Sequence, residues 1–128
     1  MENKELVAYA LKAMKNAYAP YSKYQVGAAL VTRSGKIFTG CNIENASYGL
    51  SVCAERVALW KAISGGEKNL KAMVVVASDK KTPTPCGACL QVMSELAPRM
   101  DLFLVNQTNK ITRKKLLELL PHPFRLKS

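Results

Sequence analysis

The sequence predicts an α/β fold: a layered sheet with helices on both faces. Three observations lead there. Segments of helical and strand periodicity follow one another in the order helix, strand pair, helix, strand, helix, strand, helix. The run "LKAMVVVAS", 70–78, is almost continuously apolar and rich in β-branched residues, as in a strand covered on both sides. Apolar residues make up 48% of the 128, enough for one core without disulfide staples, and a single domain over 1–128 is expected.

The elements follow in order. Residues 3–18 carry Val7, Leu11, Met14 and Tyr18 at helical spacing with lysines opposite, and Pro20 ends the helix. "QVGAALVT" and "KIFTGCNI" read as strands joined by the turn "RSG" into a hairpin. "ENASYGLS" is a polar loop. A buried helix runs from about Cys53 to Ile63 and stops at "SGG". After the central strand, "DKKTPTP" is a loop and "CGACLQVMSEL" a helix stopped by Pro98. "DLFLVN" reads as a strand, and "TRKKLLELL" as a final amphipathic helix before "PHPF".

Composition narrows the function classes. The apolar runs fall far short of the roughly 18 residues that a membrane span needs, and the chain opens without a basic, then apolar, then small-residue leader. A soluble, cytoplasmic protein is expected. The formal charge of +10 permits attraction to nucleotides or nucleic acid. The lysines are nevertheless spread along the chain rather than gathered with aromatics, as on an ordinary solvated surface, so a nucleic-acid partner is not expected.

The chemistry lies in the cysteines. There are four, Cys41, Cys53, Cys86 and Cys89, against one histidine, His122, so a metal site here must rely mainly on sulfur. Cys86 and Cys89 are three apart at a helix start, which puts both sulfurs on one face, where free N–H groups and the helix dipole favour thiolate. Cys53 opens another helix. Three sulfurs and a water make a four-coordinate zinc site with one open position, the catalytic rather than the structural arrangement. Glu55, two residues past Cys53, puts a carboxylate among Val, Ala, Leu and Trp, which is costly unless it has a task. Four alternatives stand beside this reading: a redox pair of Cys86 and Cys89, a closed structural zinc site with Cys41 as fourth ligand, unrelated core cysteines, and Glu55 as a mere helix-dipole partner.

"CAE" followed downstream by "PCGAC" resembles the zinc-dependent cytidine deaminase superfamily. The likeness extends through "APYSKYQVGAAL", "GCNIENASYGL", "CAERVAL" and "PCGACLQV" to "ELLP" and a following Phe. All-cysteine ligation is similar to the small homotetrameric enzymes that act on free nucleosides. The resemblance implies a three-layer α/β/α fold with a five-stranded mixed sheet. It implies one zinc per subunit, held by Cys53, Cys86 and Cys89, with Glu55 carrying the water proton to the ring nitrogen and then to the leaving amine. It implies that Arg56 donates to the cysteine sulfurs, offsetting the net −1 of three thiolates on Zn²⁺. Many relatives carry arginine after the last cysteine; here that residue is Leu90, so Arg56 is expected to bear more of the task alone.

The same resemblance implies that Asn42 and Glu44 bind the ribose and that Ala54 and Pro85 hold the pyrimidine edge and amine through backbone groups. Asn42 and Glu44, two apart at a strand end, face the same way, an amide and a carboxylate suited to sugar hydroxyls. Tyr24 stands where such deaminases usually have Phe and either lines the nucleoside pocket or packs in the core. Phe124 is placed against the base in a neighbouring subunit, and the "NASYG" loop with Tyr48 at a subunit contact. The expected activity is deamination of free cytidine and 2'-deoxycytidine in pyrimidine salvage by a homotetramer whose sites neighbouring subunits complete. The runners-up are a blasticidin S deaminase, against which "NIEN" argues, a basic nucleic-acid-binding module with structural zinc, and a deaminase that edits RNA or DNA.

Overall fold

A computed structural model describes residues 3–126; the outer ends of the expected domain, 1–2 and 127–128, lie outside the described residues. The chain runs α1 (Asn3–Met14), β1 (Val26–Thr32), β2 (Ile37–Cys41), a 3-10 turn (Tyr48–Leu50), α2 (Ala54–Ser64), β3 (Leu70–Ala77), α3 (Gly87–Leu96), β4 (Asp101–Val105), β5 (Ile111–Lys114) and the short α4 (Leu116–Leu119).

The five strands form one mixed sheet in the order β2-β1-β3-β4-β5. Among the described residues β3 and β4 are the one parallel strand pair of this sheet, joined by the crossover through α3; the other neighbours are antiparallel. Strand alternation separates two cores. Ala29 and Val31 of β1 and Val74 and Val76 of β3 pack with Leu6 and Ala10 of α1. Ala28 and Leu30, with Met73 and Val75, face α2, α3 and α4. Helices thus cover both faces, and β3 is buried on both from Ala72 to Ala77, as its almost continuous apolar run predicts.

The seating of α2 follows from small residues. Ala54, Ala58 and Ala62 recur every fourth residue and are completely buried, giving the helix a flat ridge. Gly40 of β2 is the matching notch: a Cβ there would lie 2.4 Å from the Ala54 carbonyl oxygen and 2.7 Å from the Ala58 nitrogen. The helix ends where Gly66, at φ 89°, supplies the left-handed turn and its N–H bonds the Ile63 carbonyl at 3.0 Å. Among the described residues, no helix is long and apolar enough to cross a membrane.

Three expectations are corrected. The first helix stops at Met14, not near 18. Its buried stripe centres on Leu6 and Ala10, Leu11 is exposed, and Tyr18 instead bridges Ile43 in extended backbone. Trp60 is 48% exposed rather than buried on α2. The segment expected as one amphipathic helix, 112–120, is divided between β5 and the four-residue α4. Asn106 makes that division: its Oδ1 accepts from Thr108 N, Thr108 Oγ1 and Lys110 N, which turns the chain back against β4.

Candidate active site and metal centre

β1 begins, β2 ends and β3 ends at one edge of the sheet, with Val26 opposite Ala77 and Gly27 opposite Cys41. Helices α2 and α3 start there. Cys53 and Cys86 are their N-caps, both in extended backbone (ψ 155° and 166°), so each side chain lies ahead of its first turn. Cys89 is on the first turn of α3 and fully buried.

The three Sγ atoms lie within 4.8 Å of one another. Cys53 and Cys86 are 3.8 Å apart, Cys86 and Cys89 3.6 Å. Tetrahedral zinc with bonds of about 2.3 Å requires sulfurs about 3.8 Å apart, so the donor set fits that ion; a disulfide would need about 2.05 Å. Cys41, half-buried on β2, is outside this cluster, which removes the four-cysteine alternative.

The electrostatics suit a thiolate site. By its protein neighbours alone Cys53 is held down to about 5, first by the Cys89 thiol facing it and then by Arg56, while Cys89 is pushed up by the same neighbour and by burial. Arg56 Nη2 donates to Cys53 Sγ at 3.6 Å, and its guanidinium carbon sits 5.8 Å from the Trp60 ring centroid. Its Nε is buried and has no partner among the described residues. Leu90 is buried in the α3 core and offers no donor.

Glu55, second residue of α2, is only 5% exposed. Burial pushes its carboxyl up to about 7, and the Cys53 charge pushes the same way. It lines a cleft of about 400 Å³ with Tyr24, Asn42, Glu44, Tyr48, Cys53, Ala54, Arg56 and Cys86, a size in the usual range for a small-molecule site. The structure therefore brings together every sequence-predicted site residue except Phe124 and Pro85. Pro85 is buried just before Cys86. Phe124 is 69% exposed, away from this cleft, and its main chain is gripped by Gln91 of α3. The Gln91 Nε2 donates to the Phe124 carbonyl and the Phe124 N–H to Gln91 Oε1, both at 2.9 Å.

The polar wall is tightly tied. Asn42 Nδ2 donates to the Tyr24 carbonyl and its Oδ1 accepts from Val26 N, both at 2.8 Å, so one amide N–H remains for a ligand. Tyr24 is half-buried, and burial, then Asp79, push its hydroxyl up. Glu44 accepts from the backbone N–H groups of Tyr21 and Ser22 and from the Ser22 hydroxyl, which holds its carboxyl below the ordinary range. The exposed Tyr48 ring meets Tyr21 edge-on, 6.4 Å between centroids. Sequence reasoning assigns no role to Ser22, Gly40 or Gln91; each acts on a residue far along the chain, and no local pattern signals it.

Residues 1–104 match the family model described as the cytidine and deoxycytidylate deaminase zinc-binding region. The chain is 48% identical over 125 residues to a cytidine deaminase of Halalkalibacterium halodurans, covering 97% of this chain and 95% of that one. The crystal structure of cytidine deaminase from Burkholderia pseudomallei superimposes with a TM-score of 0.93 at 46% identity, covering 97% of this chain and all of that one. A blasticidin-S deaminase of Bacillus cereus is less similar, 33% identical over 126 residues, covering 91% of this chain and 88% of that one. A sulfur triad of zinc dimensions is thus matched by relatives nearly half-identical along almost the whole length, and the chain belongs to the cytidine and deoxycytidylate deaminase zinc-binding family.

Proposed function

We propose that this chain catalyses the hydrolytic deamination of free cytidine and 2'-deoxycytidine to uridine and 2'-deoxyuridine, a pyrimidine salvage reaction, in the cytoplasm. The observation that carries this reading is the buried Glu55 carboxyl beside three converging cysteine sulfurs, two of which, those of Cys53 and Cys86, belong to residues lining the same cleft. Cys53, Cys86 and Cys89 would hold the zinc, which when bound would supply the Lewis acidity that makes water a nucleophile near neutral pH.

Glu55 takes a proton from the attacking water and delivers it to N3 of the pyrimidine as the oxygen bonds to C4. It then carries the second proton to the exocyclic amine, which leaves as ammonia while the C4 carbonyl forms. Burial favours the protonated form of this carboxyl, which suits a group that must release as well as accept a proton. Ala54, at the head of α2, offers its backbone to the pyrimidine edge, and Tyr24 flanks the base. Glu44 and the remaining Asn42 N–H face the sugar hydroxyls. Arg56 offsets thiolate charge at Cys53. Phe124, exposed on a tail anchored to α3, closes the site of a neighbouring subunit in a homotetramer.

The test is a parallel assay of cytidine, deoxycytidine, cytosine, blasticidin S and a cytosine-bearing oligonucleotide, with zinc measured by elemental analysis. Turnover of the two nucleosides alone, abolished by Glu55→Ala with zinc retained, is the expected result. Turnover of blasticidin S without cytidine, or of the oligonucleotide alone, would overturn the substrate assignment.

A further inference from the structure

The loop between α1 and β1 is stitched to the segment that carries Asn42 and Glu44. Tyr18 N donates to the Asn42 carbonyl at 3.0 Å, and Glu44 N to the Tyr18 carbonyl at 2.8 Å. The loop then passes Lys23 at φ 62°, a left-handed conformation uncommon for a residue with a side chain, held as Lys23 N donates to the Ala19 carbonyl at 3.0 Å. That turn places Ser22 between two wall residues of the cleft.

The Ser22 hydroxyl donates to Glu44 Oε2 and accepts from Tyr24 N–H at 3.0 Å. The other carboxylate oxygen, Glu44 Oε1, accepts from Tyr21 N and Ser22 N at 3.0 and 3.1 Å. Ser22 therefore joins the side chain facing the sugar to the backbone of the one flanking the base, and contributes one of the two backbone grips on Glu44.

We propose that Ser22 is a positioning residue for the nucleoside: its hydroxyl fixes the Glu44 carboxylate and the Tyr24 backbone relative to each other, so that sugar and base are held in one register. This rests on the reading that Glu44 meets the sugar. Ser22 touches no reacting atom and acts on binding. Its loss leaves Oε1 held by two N–H groups but frees Oε2 and leaves Tyr24 N–H without this acceptor, so the carboxylate swings about one fixed oxygen.

The test is steady-state kinetics with cytidine on the zinc-loaded full chain and its Ser22→Ala, Ser22→Thr, Glu44→Gln and Ser22→Ala/Glu44→Gln variants. Ser22→Ala should raise KM about tenfold, the scale of one hydrogen bond to a charged group, with kcat within about twofold. Ser22→Thr keeps the hydroxyl and should restore KM. In the Glu44→Gln background Ser22→Ala should add less than about twofold, because the two residues act through one contact. If Glu44→Gln raises KM and Ser22→Ala does not, or if the two effects multiply, the positioning role is wrong and the role of Glu44 stands. If Glu44→Gln leaves KM unchanged, the sugar-binding reading fails and this inference with it. A fall in kcat and zinc content at unchanged KM would make Ser22 a structural residue and overturn the proposal.

Discussion

Gly40→Ala tests whether the packing of α2 sets the metal site. The added Cβ would stand 2.4 Å from Ala54 O, 2.7 Å from Ala58 N and 2.9 Å from the Val57 Cβ. Two of these are backbone atoms, so no rotamer change relieves the clash. To reach an ordinary contact of 3.4 Å the helix must retreat by about 1 Å. Cys53 caps that helix and Glu55 and Arg56 lie on its first turn, so they move with it, while Cys86 and Cys89 stay on α3. Zinc–ligand distances tolerate about 0.2 Å, and the Cys53–Cys86 separation is already at the tetrahedral value, 3.8 Å. Overpacking of this kind costs about 1–3 kcal/mol. Borne by the metal-bound state, that weakens zinc on the order of 10- to 100-fold. Competition with a chromogenic chelator measures this, with melting of the metal-free protein read in parallel. Gly49→Ala, whose methyl would meet nothing within 4 Å, is the control. A Gly40→Ala protein with a lowered melting temperature but undiminished zinc affinity would show that packing and sulfur placement are independent.

Glu55 gives a pH prediction for the chelator-treated protein. Its folded pKa is raised to about 7, so its stabilising effect is full below the unfolded value of 4.5 and lost as pH rises through about 7. Metal-free Glu55→Gln should therefore exceed metal-free wild type in stability at pH 8 by on the order of 3 kcal/mol, and match it near pH 4; equal urea midpoints at pH 8 would refute this. Arg56→Gln should lower zinc affinity about 10- to 100-fold and turnover with it, since no arginine at residue 90 shares the task; unchanged affinity and rate would rule that out. Cys86→Ser should lose the metal and Cys41→Ser keep it, by elemental analysis; zinc released by Cys41→Ser would restore the four-cysteine site.

What was legible in the sequence was chemistry of short range. Cys86 and Cys89 share a helix start, Cys53 and Glu55 share another, and a carboxylate inside an apolar helix stands out in any reading. The central strand was legible because burial on both faces leaves no polar residue in its core run. The strand β5 was not. Its residues Thr112, Arg113 and Lys114 gain extended backbone only by pairing with Leu104, Phe103 and Leu102, and their local pattern blends into the apolar repeat of α4. Tyr18 escaped for a like reason: a helical spacing placed it on α1, and a backbone bridge to Ile43 holds it instead. The two-way grip of Asn42 on Tyr24 and Val26 joins residues 16 and 18 apart and leaves no trace in composition.

On the side of residue 124 the grip of the Gln91 side-chain amide uses only groups that nearly every amino acid carries, one amide hydrogen and one carbonyl oxygen. The path of the tail is therefore indifferent to the ring mounted on it, proline alone excepted for want of the hydrogen. Route and cargo are encoded separately, and evolution or an engineer can exchange the side chain at 124 without redrawing the arm that presents it.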